Sequence, residues 1–483
     1  MLAQNSPGAR KAERMDPRPG GLTRRTVLTR RTVLTRRTVL NRRTVLTSRT
    51  VLNRRAVLTA GATLAGGALL SGALSACGAR LESTDDAGGP PRGEITLLTP
   101  IFDGQEGKQL LEQKLLPQFT AKYPQVKVSV DYLTGYDYLN EKITTGLTTG
   151  VPADVIMMGV GWIEPFASRD VLSELKTPPG ELTGYSDQIL KSCRWGGKLY
   201  ALPVVLDTRF GICRTDLLAE AGLNRPPTSM DELRDYALKL TRRDPSGKLA
   251  RTGLDVLSAD PRQVFETVLF AFGGDLFRDG RPAFNDPAGV AALQWLADLQ
   301  QRDKVIDAGF SNTKAVSVPI GDGRAAMCVG HNNWWITTKK QHPENLQYLK
   351  PFLLNPAKPS IFAGGTLVSV SAASRHQAAA QALASFMASP QVSLAGAQQK
   401  GNVPALASMR DNDYVRGNKL VQFALDNLRY GRAEGGVGAW LTIRDDIKTA
   451  VQSAMNGRQS AQVALDQLAA TAEIAIADFG QGN

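Results

Sequence analysis

Cysteine, histidine and aromatic side chains are scarce in this chain: four Cys, three His and 6% Phe, Trp and Tyr among 483 residues. So few cysteines exclude a disulfide-stapled miniprotein, which draws its stability from dense cross-links. His331, His342 and His376 are dispersed, and a lone histidine is more often an ordinary side chain than a ligand, so metal catalysis has little to stand on. The runs G-x-S-x-G, H-E-x-x-H and G-x-x-x-x-G-K-[ST] do not occur, which removes the commonest hydrolase and phosphate-loop signatures. Hydrophobic residues make up 42%, too many for a wholly disordered chain, and the length allows two large lobes, each with its own core.

The net charge of +12 invites a nucleic-acid reading, but its placement argues otherwise. Residues 1–60 carry fifteen Lys and Arg against only Glu13 and Asp16, which leaves the rest of the chain close to neutral. No nucleic-acid partner is expected. From Arg24 to Thr59 the sequence repeats R-R-T-V-L-T/N six times, with Ser48 and Ala56 as exceptions. A six-residue step turns a helix by about 600°, so the copies form no amphipathic stripe. The last copy runs into an uncharged Ala/Gly/Leu stretch ending at Leu74-Ser75-Ala76-Cys77, the layout of a secretory signal.

Asn53-Arg54-Arg55-Ala56-Val57-Leu58 resembles a twin-arginine export motif, and Leu74-Ser75-Ala76-Cys77 resembles a bacterial lipobox. The second resemblance implies cleavage before Cys77 and a lipid on its thiol, which would hold the protein on the outer face of the cell membrane. A membrane-spanning helix over residues 56–76 is the competing reading. Residues 77–93, rich in Gly, Pro and acidic side chains, read as a flexible tether. Cys193, Cys213 and Cys328 remain, and an odd number cannot all pair; a Cys193–Cys213 bridge stays open.

Beyond the tether the pattern alternates strand and helix. Ile95–Pro100, Val126–Val130 and Ala153–Met158 read as strands, with helices over 107–123 and 138–149 between them. That alternation predicts parallel pairing through helical crossovers, a doubly wound α/β lobe. The pattern restarts with a strand at Leu206–Arg214, and Thr228 or Ser229 should cap a helix running to Leu240. Further helices are expected over 261–272, 287–302, 372–388, 418–430, 441–455 and 460–476.

Several spans, in order, resemble the carbohydrate-binding family of extracellular solute-binding proteins of ABC importers that includes maltose-binding protein. They are Ala153 to Met158 with Trp162 and Phe166; Gly196-Gly197-Lys198-Leu199-Tyr200-Ala201-Leu202-Pro203; Arg214 to Leu218; Phe272-Gly273-Gly274; Phe284-Asn285-Asp286-Pro287; Gly323 to Trp334; and Gly364-Gly365-Thr366. The resemblance implies an α/β, two-lobe periplasmic-binding-protein-like fold with discontinuous lobes and an interlobe ligand cleft. Residues 94–204 plus 367–405 would form the first lobe and 205–366 plus 406–483 the second. It implies capture of a carbohydrate by cleft closure and delivery to the transmembrane subunits of a permease, by a monomer with no cofactor, no metal and no catalysis.

Sugars present apolar C–H faces and a rim of hydroxyls, so their sites combine aromatic planes with carboxylates, amides and Arg. Trp334 and Trp335 follow a polar loop; two adjacent indoles cannot both point inward from a strand, so one should stack, and Trp334 aligns better with the family's stacking residue. Trp440 and Arg444, four apart, share a helix face. Trp162 follows the carboxyl end of a buried strand, where open α/β sheets bind ligands, and the same rule nominates Asp103, Gln105, Tyr136 and Asp137. Asp207 lies beside the first crossing between lobes. Asp260 and Arg262 could face the cleft, or Asp260 could simply cap a helix. Gly364 and Gly365 would let backbone come close to a ligand. Trp295 and Trp195 read as structural. Two other functions compete: a binder of a polyol phosphate or cationic metabolite, and a secreted glycan-active enzyme whose paired carboxylates the sequence cannot place.

Overall fold

The computed structural model describes residues 89–136, 138–311 and 318–481. The Arg-rich leader, the lipobox with Cys77, most of the tether and Asp137 therefore lie outside the described residues. The described body is one compact unit built on a nine-stranded sheet. Its strands are β1 (Gly93–Thr99), β2 (Val126–Tyr132), β3 (Val155–Gly159), β4 (Ala201–Arg214), β5 (Met327–His331), β6 (Leu349–Phe352), β7 (Ile361–Val370), β8 (Val403–Pro404) and β9 (Gly431–Arg432). The central path runs β5-β4-β7-β3-β1-β2, with β6 and β8 also paired to β4 and β9 paired to β7.

β1 pairs in parallel with both β2 and β3, as alternating strands and helices require. β4 and β7 are longer and antiparallel to each other, and β7 runs antiparallel to β3. These two long strands change core along their length. Ala201 to Val205 of β4 and Leu367 to Val370 of β7 enter a core with β1, β3 and helices α7 (Gln377–Met387) and α8 (Pro390–Lys400). From Leu206 onward β4 alternates instead between two other cores. One holds Cys213, Phe362 and helices α4 (Pro261–Ala271), α5 (Pro287–Gln301), α9 (Trp440–Met455) and α10 (Ala461–Gln481). The other holds Leu206, Phe210, Ile212 and α6 (Trp334–Gln341). The register of β7 against β4 shifts between Thr366 and Leu367, where the strands pass from one set of cores to the next.

Local signals place several helices. Ser229 Oγ accepts from the Glu232 amide at 3.1 Å while Glu232 Oε2 accepts from the Thr228 amide at 2.7 Å, a reciprocal cap on the helix Met230–Leu240. Asp260 caps α4 through the amides of Arg262 and Gln263, at 2.9 and 3.3 Å, with Pro261 in the first turn. The helix expected from residue 372 begins later, at Gln377, and the one over 418–430 ends at Asp426 with a short 3₁₀ turn beyond it. Cys193, Cys213 and Cys328 are buried free thiols, so the open Cys193–Cys213 bridge does not form. No described helix is long and apolar enough to cross a membrane.

Candidate ligand-binding site

Where β4 and β7 leave the first core, side chains from several elements converge. Cross-strand register sets the floor. His331 on β5 lies opposite Arg209 on β4, which lies opposite Phe362 on β7; two residues along, Asp207 lies opposite Gly364. Opposed residues share a face, so Asp207, Arg209 and His331 project together. Asp207 lies so close over Gly364 that a Cβ there would meet its Oδ1 at 2.9 Å.

Two tryptophans wall the group. Trp162 opens α3 (Ile163–Ala167) just past the end of β3, is 3% exposed, and has Tyr136 and Phe166 within 6.4 and 6.3 Å of its ring centre. The Arg444 guanidinium lies 5.8 Å over the same ring. Trp440, the first residue of α9, is completely buried; Arg262 lies 5.5 Å over its ring and Phe277 meets it edge-on at 6.3 Å. Glycine is required between the two indoles. Gly161 has φ +86, and a Cβ on it would sit 2.9 Å from Trp440 Nε1; a Cβ on Gly159 would meet the Trp162 ring at the same distance.

The polar rim is dense and largely self-satisfied. Arg209 donates to Asp207 at 3.3 Å and to Gln263 at 2.5 Å. Arg262 donates to Glu266 at 2.8 Å and also to Glu434. Tyr136 and Thr366 share a hydroxyl hydrogen bond of 2.5 Å. Burial raises the Tyr136 phenol above its ordinary range, and the carboxylates of Asp207 and Glu434 add to the effect. Burial alone would raise the Asp207 carboxyl, but Arg209 and His331 outweigh it and hold the group well below the usual carboxylate range. Burial, aided by Arg209, pushes His331 down to about 4. His331 Nδ1 accepts from the Asn333 amide at 2.8 Å, which fixes the neutral tautomer that donates from Nε2 to Asp207 at 3.2 Å. Four buried polar atoms here have no hydrogen-bond partner: Arg209 Nε, Glu266 Oε2, Trp440 Nε1 and Arg444 Nε. Buried groups of that kind are normally paired, so a polar ligand at this place has bonds to offer them.

Of the sequence candidates, the structure brings together Tyr136, Trp162, Asp207, Gly364, Trp440 and Arg444. Gly365, at φ +143, presses on the carbonyl of Val205, and its own carbonyl accepts from Val160 at 3.1 Å. Asp260 serves as the cap of α4, which aims Arg262 and Gln263 into the group. Asp103 precedes α1 (Gly104–Leu110) and is paired with Lys400, while Gln105 is exposed on the first turn. Trp334 and Trp335 are not brought here. They start a helix and do not alternate as on a strand, so both enter the core on the other face of β4, with Phe210 and Ile212. Trp295 is core, and Trp195 is partly exposed on a short hairpin beside Tyr200. Sequence reasoning missed Arg209, Gln263, Glu266, His331 as a partner of Asp207, and Glu434. The alternation of Asp207 and Arg209 along a strand was the one signal present.

Residues 114–422 match the profile of the bacterial extracellular solute-binding proteins. The chain belongs to that family. Among curated relatives it is 24% identical over 335 residues to the galactooligosaccharide-binding protein of Bacillus subtilis, covering 67% of this chain and 77% of that one. It is also 24% identical over 408 residues to the diacetylchitobiose-binding protein DasA of Streptomyces coelicolor, covering 81% and 93%. Among solved structures, the sugar-binding protein MalE of Xanthomonas citri superposes with a TM-score of 0.68 at 20% identity, over 80% of this chain and 98% of that one. The two-lobe periplasmic-binding fold expected from the sequence is the fold of this solute-binding protein.

Proposed function

We propose that this solute-binding protein captures a carbohydrate, an oligosaccharide in particular, by closing two lobes on it and hands it unaltered to the transmembrane subunits of an ABC permease. We place the lobes at residues 94–204 plus 367–405 and residues 205–366 plus 406–483, a division that fits the change of core along β4 and β7. The protein acts as a monomer held at the outer membrane face through lipid on Cys77. The observation that carries the reading is the meeting of Trp162 with Arg444, and of Trp440 with the Gly161 loop, beside buried polar atoms without partners. Indole planes match the C–H faces of a pyranose, and the free donors and carboxylates match its hydroxyl rim. Ligand energy then favours the closed arrangement by as much as the sugar contacts both lobes at once. The named relatives that bind galactooligosaccharide and diacetylchitobiose support the same class.

Thermal unfolding against a panel tests this. Galactooligosaccharides, diacetylchitobiose and maltotetraose are set beside a polyol phosphate and a polyamine. A ligand at 100-fold excess over its Kd adds about 2.7 kcal/mol to stability. A stabilising sugar recovered intact by chromatography is the expected result. Cleavage of the sugar, or stabilisation by the phosphate or polyamine alone, overturns the reading.

A further inference from the structure

Behind the Trp440 indole, charges are unevenly matched. Arg262 Nη1 donates both to Glu266 Oε1, at 2.8 Å, and to Glu434 Oε2. Glu266 is 0% exposed, and its Oε2 has no hydrogen-bond partner. One guanidinium nitrogen thus serves two carboxyl groups out of contact with solvent. The surrounding groups leave little to share. Asp260, on the same helix end, accepts from two backbone amides. Arg209 of β4 is taken up by Asp207 and Gln263, and His331 of β5 accepts at Nδ1 and is neutral. Tyr136 is held by Thr366 and Arg444 lies over Trp162. Asp207, Asp260 and Glu434 balance Arg209, Arg262 and Arg444, and Glu266 is the carboxyl left over.

We infer that Glu266 carries a proton and serves as a neutral positioning residue, holding Arg262 over the Trp440 indole so that the cleft is charge-balanced for an uncharged polyhydroxylated solute. Burial pushes this carboxyl up to about 8; Arg262 opposes the shift and Glu434 reinforces it. The proton sits on Oε2 while Oε1 goes on accepting from Arg262. Raising the pH through that region places a second negative charge beside Glu434, and the repulsion of the two buried carboxylates across their shared guanidinium strains the wall formed by Trp440. The consequence for solute affinity rests on the function proposed above; the protonation does not.

Two measurements on the full chain separate these. Without ligand, the unfolded Glu266 ionises near its ordinary 4.5 and the folded one near 8, so its contribution to stability is complete at low pH and is lost as pH rises through that window. Melting curves from about pH 5.5 to 9.5 should therefore fall more steeply for the wild type than for Glu266→Gln, which cannot titrate. A protonated-carboxyl C=O stretch, visible in infrared spectra of the wild type at neutral pH and lost in alkali, reads the same state if the variant folds poorly. With maltotetraose and diacetylchitobiose as titrants, wild-type affinity should fall by up to about tenfold per pH unit above pH 8, and Glu266→Gln should flatten that profile. Glu266→Ala should weaken binding at every pH. Parallel melting curves with no protonated-carboxyl band overturn the inference whatever the sugars do. Divergent curves with no sugar bound sustain the proton and overturn the carbohydrate reading.

Discussion

Replacing Gly161 by alanine isolates closure from folding. Gly161 adopts φ +86, and the space beside its Cα is already filled: a Cβ would stand 2.9 Å from Trp440 Nε1 and 3.1 Å from the Glu434 carbonyl. A Cβ on the facing Gly435 would come within 2.6 Å of the Gly161 Cα, so the backbones themselves touch here. The left-handed backbone costs an L-residue about 1–2 kcal/mol in any state of the protein. The crowding against Trp440 costs about 1–3 kcal/mol more, as overpacking does, and on the proposed closure of two lobes that cost falls on the state in which the loops meet. The first cost lowers the melting temperature by about 1 °C per kcal/mol, at an unfolding entropy of about 2.1 cal/mol/K per residue over a body of this length. The second falls on closure, where 1.4 kcal/mol is tenfold in affinity, so Gly161→Ala should weaken sugar binding by about 5- to 150-fold. Isothermal titration beside differential scanning calorimetry reads the two costs apart. A variant that melts lower yet binds sugar with wild-type affinity refutes the claim that this loop contact forms on closure.

Trp162→Ala removes a buried indole packed between Tyr136, Phe166 and Arg444, and should cost about 3–5 kcal/mol of stability while abolishing detectable sugar binding by titration. Arg262→Met leaves Glu266 and Glu434 without their shared cation; a loss of about 3–5 kcal/mol in denaturant unfolding is expected, and less than 1 kcal/mol would show the network to be relaxed. His331 titrates near 4 in the folded state against about 6.5 unfolded, so its contribution is present above 6.5 and lost as pH falls through 4; His331→Gln should flatten the acid limb of the melting-temperature profile. Burial raises the thiols of Cys193 and Cys213 to about 12 and that of Cys328 well above its ordinary value, so a thiol reagent should leave all three unmodified in the native protein and label them on unfolding.

The parts of the fold and site that can be read from the sequence are those governed by local rules. Strand-helix alternation gives the parallel β2-β1-β3 ribbon, and a four-residue spacing puts Trp440 and Arg444 on one helix face. Trp162 is findable because the carboxyl end of a parallel strand is where such sheets open. What escapes depends on partners far away in the chain. Glu266 looks like any helical glutamate until Arg262 and Glu434, 172 residues apart, close around it. Asp207 is visible beside a crossing, but its pairing with Arg209 and His331 needs the register of β5 on β4. The sequence pattern puts Trp334 and Trp335 after a polar loop, and strand-like alternation would send only one indole inward; starting a helix instead turns both into the same core.

The long strands β4 and β7 run unbroken from the first core into the other two, so on the proposed two-lobe reading these two connections are hydrogen-bonded ribbon. The proposed closure would twist that ribbon, with the register slip at Thr366 and Leu367 and the positive φ of Gly365 as its softest points. A joint of that kind is expected to act as a leaf spring whose backbone amides stay protected from exchange while the lobes swing, which hydrogen exchange along β4 and β7 would read.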